Sequence, residues 1–212
     1  MLLNARSLLG EIFIGPLCVN RFLSSFNRPN LKYSVLPKKG KSITKDIIEL
    51  VKAKFSRSSG IVYCLSRKEC DNVARDLKQA GIKAGPYHAG LTDPQRSKVQ
   101  GEWITDKVKV RIESGRAGRD GDKADCIMYY SYMDMHRIRR MIEMDGDNLA
   151  AQRTHMDNLW RMVNFSENRT DCRRAQQLNY FGEIFDRKEC LSNRATACDN
   201  CLQQVRYSFP YL

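Results

Sequence analysis

Apolar positions recur along this chain with two different periods. Over "SITKDIIELVKAKF" (42–55), Ile43, Ile47, Val51 and Phe55 fall four apart, on one face of a helix. The next run, "GIVYCL" (60–65), is short, continuous and rich in β-branched residues, the pattern of a strand covered on both faces. "SRKE" follows at once. Ser66 and Glu69 have capping-box spacing, so a helix is expected there, with Cys70, Val73, Ala74 and Leu77 inside and Gly81 as its stop. "IKAGPYH" (82–88) reads as a weaker extended piece. Asp93-Pro94 marks another helix start, with Val99 and Trp103 on one face. "VKVRI" (108–112) and "DCIMYYS" (125–131) read as strands, and the alternation predicts parallel α/β layers to about residue 131.

From Asp134 the pattern turns helical. Met135, Ile138 and Ile142 share one side of "DMHRIRRMIEM", and Met156, Leu159, Trp160 and Val163 recur at helical spacing in "HMDNLWRMV". These positions read as core, and a domain boundary is expected near 132. One feature of the α/β part is unusual. Between "VKVRI" and "ESGRAGRDG" there is no room for another strand and its crossover, which takes a dozen or more residues. The sheet is therefore expected to be short of strands.

Composition narrows the class. A chain of 212 residues allows one ordinary domain and a small appendix, and 42% hydrophobic residues sustain a core. Lys plus Arg number 36 against 24 Asp plus Glu, a formal charge of +12 that favours a polyanion. Nucleic acid comes before an anionic membrane surface, and a basic surface with no specific partner is the bland alternative. No run reaches the roughly 18 apolar residues of a membrane span. The first 21 residues are apolar but interrupted by Glu11 and Gly15-Pro16. They read as an unexplained leader, without the clear form of a presequence or signal peptide.

Eight cysteines are unevenly placed. Cys64, Cys70 and Cys126 fall at apolar positions and read as buried thiols in a reducing compartment. Cys172, Cys190, Cys198 and Cys201 cluster instead. "CDNC" can aim two thiolates at one tetrahedral ion, and Cys172 and Cys190 can supply the other pair, a set suited to structural zinc. Disulfides or unrelated free thiols are the alternatives. Elsewhere, "GKS" (40–42) sits where a phosphate loop would, but Val35 stands in the place of its first glycine, so it reads as a decoy. "ESGRAGRDG" presents Arg116 and Arg119 among small residues. It is either a solvated turn or an arginine finger for a γ-phosphoryl group. In "CLSRKE", Ser66, backbone amides and Arg67 at a helix start suit a nucleic-acid phosphate, or are a capped helix and nothing more. His88, alone in "YHAG", reads on spacing as structural.

Together "SFNRPNLKY", "GIVYCLSRKECD", "YHAGL", "ESGRAGRDGD", "CRRAQQLNYFGE" and "CDNC" resemble the second half of a RecQ-family DNA helicase, from about Phe22 to Cys201. The resemblance implies an incomplete RecA-like parallel sheet over 22–131, a helical zinc-binding domain over 132–202 and a tail over 203–212. It implies nuclear 3′–5′ DNA unwinding in replication, recombination and repair, driven by ATP with Mg²⁺ in the full family. Carried onto this sequence, Arg119 is the finger and Arg116 a neighbouring ATP-site arginine. Ser66 and Arg67 lie near the DNA backbone, and Tyr87, His88 and Ala89 line the single-strand path. Cys172, Cys190, Cys198 and Cys201 are zinc ligands. Single-stranded, 3′-overhang or branched DNA is the implied partner, with a first RecA-like domain in cis and no membrane. The sequence departs from the pattern in lacking the phosphate loop, the DEAH box, motif V and the winged helix. This chain alone is then expected not to hydrolyse ATP. A truncated DNA- or partner-binding module, or a mis-spliced product that does not fold stably, are the alternative expectations.

Overall fold

A computed structural model describes residues 25–38, 43–113, 123–144 and 149–208. Arg116, Arg119, the "GKS" segment, Cys18 and the 1–21 leader lie outside the described residues. In chain order the elements are β1 (Leu31–Pro37), α1 (Ile43–Lys54), β2 (Gly60–Tyr63), α2 (Arg67–Gln79), β3 (Ala84–Tyr87), α3 (Asp93–Ile104), β4 (Val110–Glu113) and β5 (Ala124–Tyr130). Five helices follow: α4 (Tyr132–Met144), α5 (Leu149–Glu167), α6 (Arg173–Tyr180), α7 (Arg187–Ser192) and α8 (Asp199–Ser208). Among the described residues no helix is long and apolar enough to cross a membrane. The chain is α/β, and among the described residues all strand pairing is parallel, in two small sheets, β1-β5 and β2-β4-β3. The link between β4 and β5 is ten residues long (114–123), short of the dozen a parallel crossover needs. Two compact units result, one of residues 38–120 and one of residues 1–37 with 121–212.

In the first unit β4 is central, with Val110 facing Gly60 on β2 and Ala84 on β3. Val110 and Ile112 join Cys70, Val73, Ala74 and Leu77 of α2 in a buried cluster, against which Ile47, Ile48 and Val51 of α1 pack. Helix α2 buries the four residues expected of it, while of the face expected for α1 only Ile47 and Val51 pack on the cluster, with Ile48 beside them. Ser66 caps α2, its Oγ accepting from the Glu69 N–H at 3.2 Å. Glu69 accepts in turn from the Leu65 N–H rather than from that of Ser66, so the capping box is offset by one residue. Gly81 follows the helix at φ +81°, where a side chain would be strained. One expectation changes. The run 60–65 is not covered on both faces: Tyr63 is 43% exposed and Leu65 50%, and among the described residues β2 pairs only with β4. Helix α3 starts at Asp93 as the Asp93-Pro94 signal expects, with Thr92 before it as N-cap in a reciprocal box with Gln95.

In the second unit β1 and β5 pair in parallel from Leu31 opposite Ala124 to Pro37 opposite Tyr130. Helices α4 and α5 form a hairpin whose core is Met135, Leu159 and Val163, flanked by Ile138, Ile142 and Met156. Trp160, expected inside, is 41% exposed, because it lies one residue round the helix from Leu159. Of the three thiols expected to be buried, Cys70 is; Cys64 and Cys126 are half-buried.

Candidate metal centre and nucleic-acid edge

The four clustered cysteines meet at helix starts. Cys172 is the N-cap of α6, Cys190 lies in α7, Cys198 precedes α8 and Cys201 sits in its first turn. All four are buried free thiols whose Sγ atoms lie within 4.8 Å of one another. Zinc–sulfur bonds of about 2.3 Å in a tetrahedron put sulfurs about 3.8 Å apart, so the donor set and its size fit zinc. Backbone amides already point at the sulfurs: Arg173 N–H donates to Cys198 Sγ at 3.4 Å and Cys198 N–H to Cys190 Sγ at 3.5 Å. Without an ion the thiols divide their protons unequally. Hydrogen bonds with Cys190 and Cys198 hold Cys172 far above the thiol range, and those from Cys172 and Cys190 hold Cys198 far below it. Burial, then the neighbouring Cys198, pushes Cys201 up to about 12. Several thiolates this close are sustained only by a cation.

A polar frame that spacing does not reveal surrounds the sulfurs. Arg173 is fully buried and donates through Nε to Asp199 Oδ1 at 3.0 Å, through a terminal nitrogen to Asn200 Oδ1 at 3.2 Å, and to the Phe165 carbonyl. Asp199, inside the CxxC turn, also accepts from the Val35 N–H of β1 at 2.8 Å. Arg174 donates to the carbonyls of Arg28 and Leu31 at 2.5 and 2.6 Å and to Asn27 Oδ1 at 2.9 Å, its guanidinium over the ring of Tyr33. Asn200 Nδ2 donates to the carbonyls of Asn168 and Asp171, fixing the loop that leads into Cys172. "CRR" and "CDNC" carry these residues in plain view. Consecutive arginines ordinarily read as surface charge, and only their burial shows their role.

The expected DNA-binding residues gather in the other unit, at the carboxyl ends of β2 and β3. Ser66 and Arg67 follow β2, and Tyr87, His88 and Ala89 close β3; because the strands are parallel, both loops leave the same edge. Such an edge is where open α/β sheets hold ligands. Arg67 and Ala89 are exposed; Ser66 and Tyr87 are half-buried. His88 is 7% exposed and tied down at both ring nitrogens. Its Nδ1 accepts from the Gly90 N–H at 3.2 Å, which leaves the proton on Nε2 facing Asp71 Oδ1 at 3.1 Å. His88 therefore staples the β3–α3 loop to α2. The Tyr87 ring lies 4.7 Å from the Arg111 guanidinium, whose other ring neighbour is Trp103 at 4.5 Å.

Comparison with known proteins gives this geometry a family. The RecQ zinc-binding family matches residues 132–202, the segment that holds all four sulfurs. The RecQ-like DNA helicase BLM of Xenopus laevis is 44% identical over 220 positions, covering 88% of this chain and 16% of its own length. Residues 132–202 are thus a RecQ zinc-binding segment, and along most of its length the chain is similar to RecQ-type DNA helicases. Two other RecQ relatives agree: RecQ-like DNA helicase blm-1 of Caenorhabditis elegans is 40% identical over 86% of this chain and 22% of its own, and ATP-dependent DNA helicase Q1 of Mus musculus is 33% identical over 90% and 33%. The chain thus spans about a sixth to a third of these relatives' lengths. Since 88% of 212 residues is about 187, some 33 of the 220 aligned frog positions meet no residue here. The crystal structure of the ADP-bound RNA helicase Prp28 from Chaetomium thermophilum overlaps 53% of this chain and 36% of its own at TM-score 0.42 and 15% identity, too distant to bear on the fold.

Proposed function

We propose that this chain carries the second motor portion (22–131) and the zinc-binding domain (132–202) of a nuclear 3′–5′ RecQ-type DNA helicase acting in replication, recombination and repair. The observation that carries this reading is the 44% identity to a DNA helicase along 88% of the chain. In it, Cys172, Cys190, Cys198 and Cys201 hold one structural zinc, which cross-links α6, α7 and α8 and, lacking an open position, takes no part in chemistry. Ser66 and Arg67 hold the backbone of single-stranded, overhanging or branched DNA, beside Tyr87, His88 and Ala89. Arg119, with Arg116, serves an ATP·Mg²⁺ held by a first RecA-like domain in cis.

Acting alone, these 212 residues bind DNA without turning over ATP. Two features support that limit: no GxxxxGK[ST] run occurs in the sequence, and about 33 frog positions are unmatched. The +12 charge supports the binding. Affinity for single-stranded DNA is expected to fall steeply as salt rises, by about 0.7 in log–log slope per phosphate contact. Anisotropy titrations at several salt concentrations, alongside a phosphate-release assay, test both statements. DNA-stimulated ATP turnover, or no binding at low salt, would overturn them.

A further inference from the structure

Along the unit that holds the sulfurs runs a row of four side chains in successive contact. The guanidinium of Arg161 on α5 lies 5.3 Å from the ring centre of Tyr180, at the end of α6. Tyr180 meets Phe181 edge-on at 5.2 Å, and Phe181 stacks on Phe26 at 4.5 Å with the rings 14° from parallel. A core cluster would bury such rings. Here Tyr180 keeps 42% of its surface in solvent and Phe26 47%, and Ile184 just beyond is fully exposed. None of these residues belongs to the sulfur cluster or to the β2–β3 edge.

We propose that this row is a stacking platform for unpaired nucleic-acid bases, a second contact on single-stranded DNA. The inference rests on the DNA-binding reading above. Bases stack on aromatic rings and on guanidinium planes alike, and the row offers both in sequence on a chain of charge +12. Its composition favours bases over a protein helix, which would call for an aliphatic groove. The row is also polar in a direction. Glu183 accepts from Ser25 Oγ at 2.6 Å and from the Phe26 N–H at 2.7 Å, and these bonds, Ser25 first, hold its carboxyl below the usual range. The Phe26 end therefore carries a fixed negative charge, and the phosphates of a bound strand run at the Arg161 end.

The test compares oligothymidylate with an abasic oligonucleotide of the same length and charge, both titrated by anisotropy against the full chain. The native chain is expected to prefer the base-bearing strand. Tyr180→Ala should weaken that strand about 5- to 150-fold and leave the abasic one unchanged. Tyr180→Phe should keep the preference, and Arg161→Ala should lower the salt slope by about 0.7. Metal content of each variant checks its fold. Equal native affinity for the two strands overturns the platform and leaves the DNA-binding reading standing; binding of neither strand removes both. A row that served a protein partner would show the preference untouched by Tyr180→Ala, which also overturns the proposal.

Discussion

Arg111 and Glu113 place a charged pair inside the three-stranded unit. They alternate with Val110 and Ile112 on β4, so the strand turns its apolar residues to α2 and its charges to the other face. The pair is in contact, with side chains only 11% and 6% exposed, and Gln100 accepts from the guanidinium. Satisfaction is incomplete: Glu113 Oε1 is met by a terminal nitrogen of Arg111, but Arg111 Nε and Trp103 Nε1 are buried without hydrogen-bond partners. A buried pair of this kind is costly to desolvate and more costly to break. Glu113→Ala alone should cost about 3–5 kcal/mol, whereas Arg111→Leu with Glu113→Val should be neutral or stabilising by about 1–4 kcal/mol. Urea denaturation followed by tryptophan fluorescence measures both. A second residue carries a pH dependence. Burial, then the neighbouring Cys70, pushes the Cys64 thiol up to about 12 from an ordinary 9.0. The folded state thus favours the protonated thiol: its contribution is whole below pH 9 and is lost as pH rises toward 12. Thermal melts across that range should fall more steeply for the native chain than for Cys64→Ala.

At the scale of elements, α2 separates two roles for one residue. Ser66 accepts the Glu69 N–H as a helix cap, whatever it does toward DNA. Ser66→Ala should cost about 1 kcal/mol of stability. Ser66→Asp keeps a good cap and adds a negative charge beside the expected phosphate. If Ser66 lies on the DNA backbone, Ser66→Asp loses affinity at unchanged stability; unchanged affinity assigns it to capping alone. The helices were the most legible part of the sequence. Cys70, Val73, Ala74 and Leu77 lie inside as their spacing says, because an amphipathic helix needs only one apolar neighbour to satisfy its pattern. Strands were less so. "GIVYCL" reads as doubly covered, yet Tyr63 and Leu65 are exposed, since coverage depends on what packs over each face of the sheet, which no local pattern states.

For the molecule as a whole, the sulfur cluster and the β1-β5 sheet are one construction. Asp199 binds the Val35 amide of β1 from within the CxxC turn, and Arg174 holds the carbonyls of Arg28 and Leu31. Removing the metal should therefore loosen β1 as well as α6–α8. Hydrogen exchange with and without a chelator checks this: the Val35 amide should lose protection on chelation, while Val110 and Ile112 in the other unit keep theirs. By itself the sequence determined the helices from α1 to α5, the clustering of four cysteines and the RecQ resemblance, because each is written in local spacing or in motifs read residue by residue. Only the tertiary structure decided that the strands part into two sheets, that Arg173 and Arg174 are interior residues, and that Phe26 stacks on Phe181. Strand pairing, burial and ring contact are set by neighbours far away in the chain, and no local period encodes them.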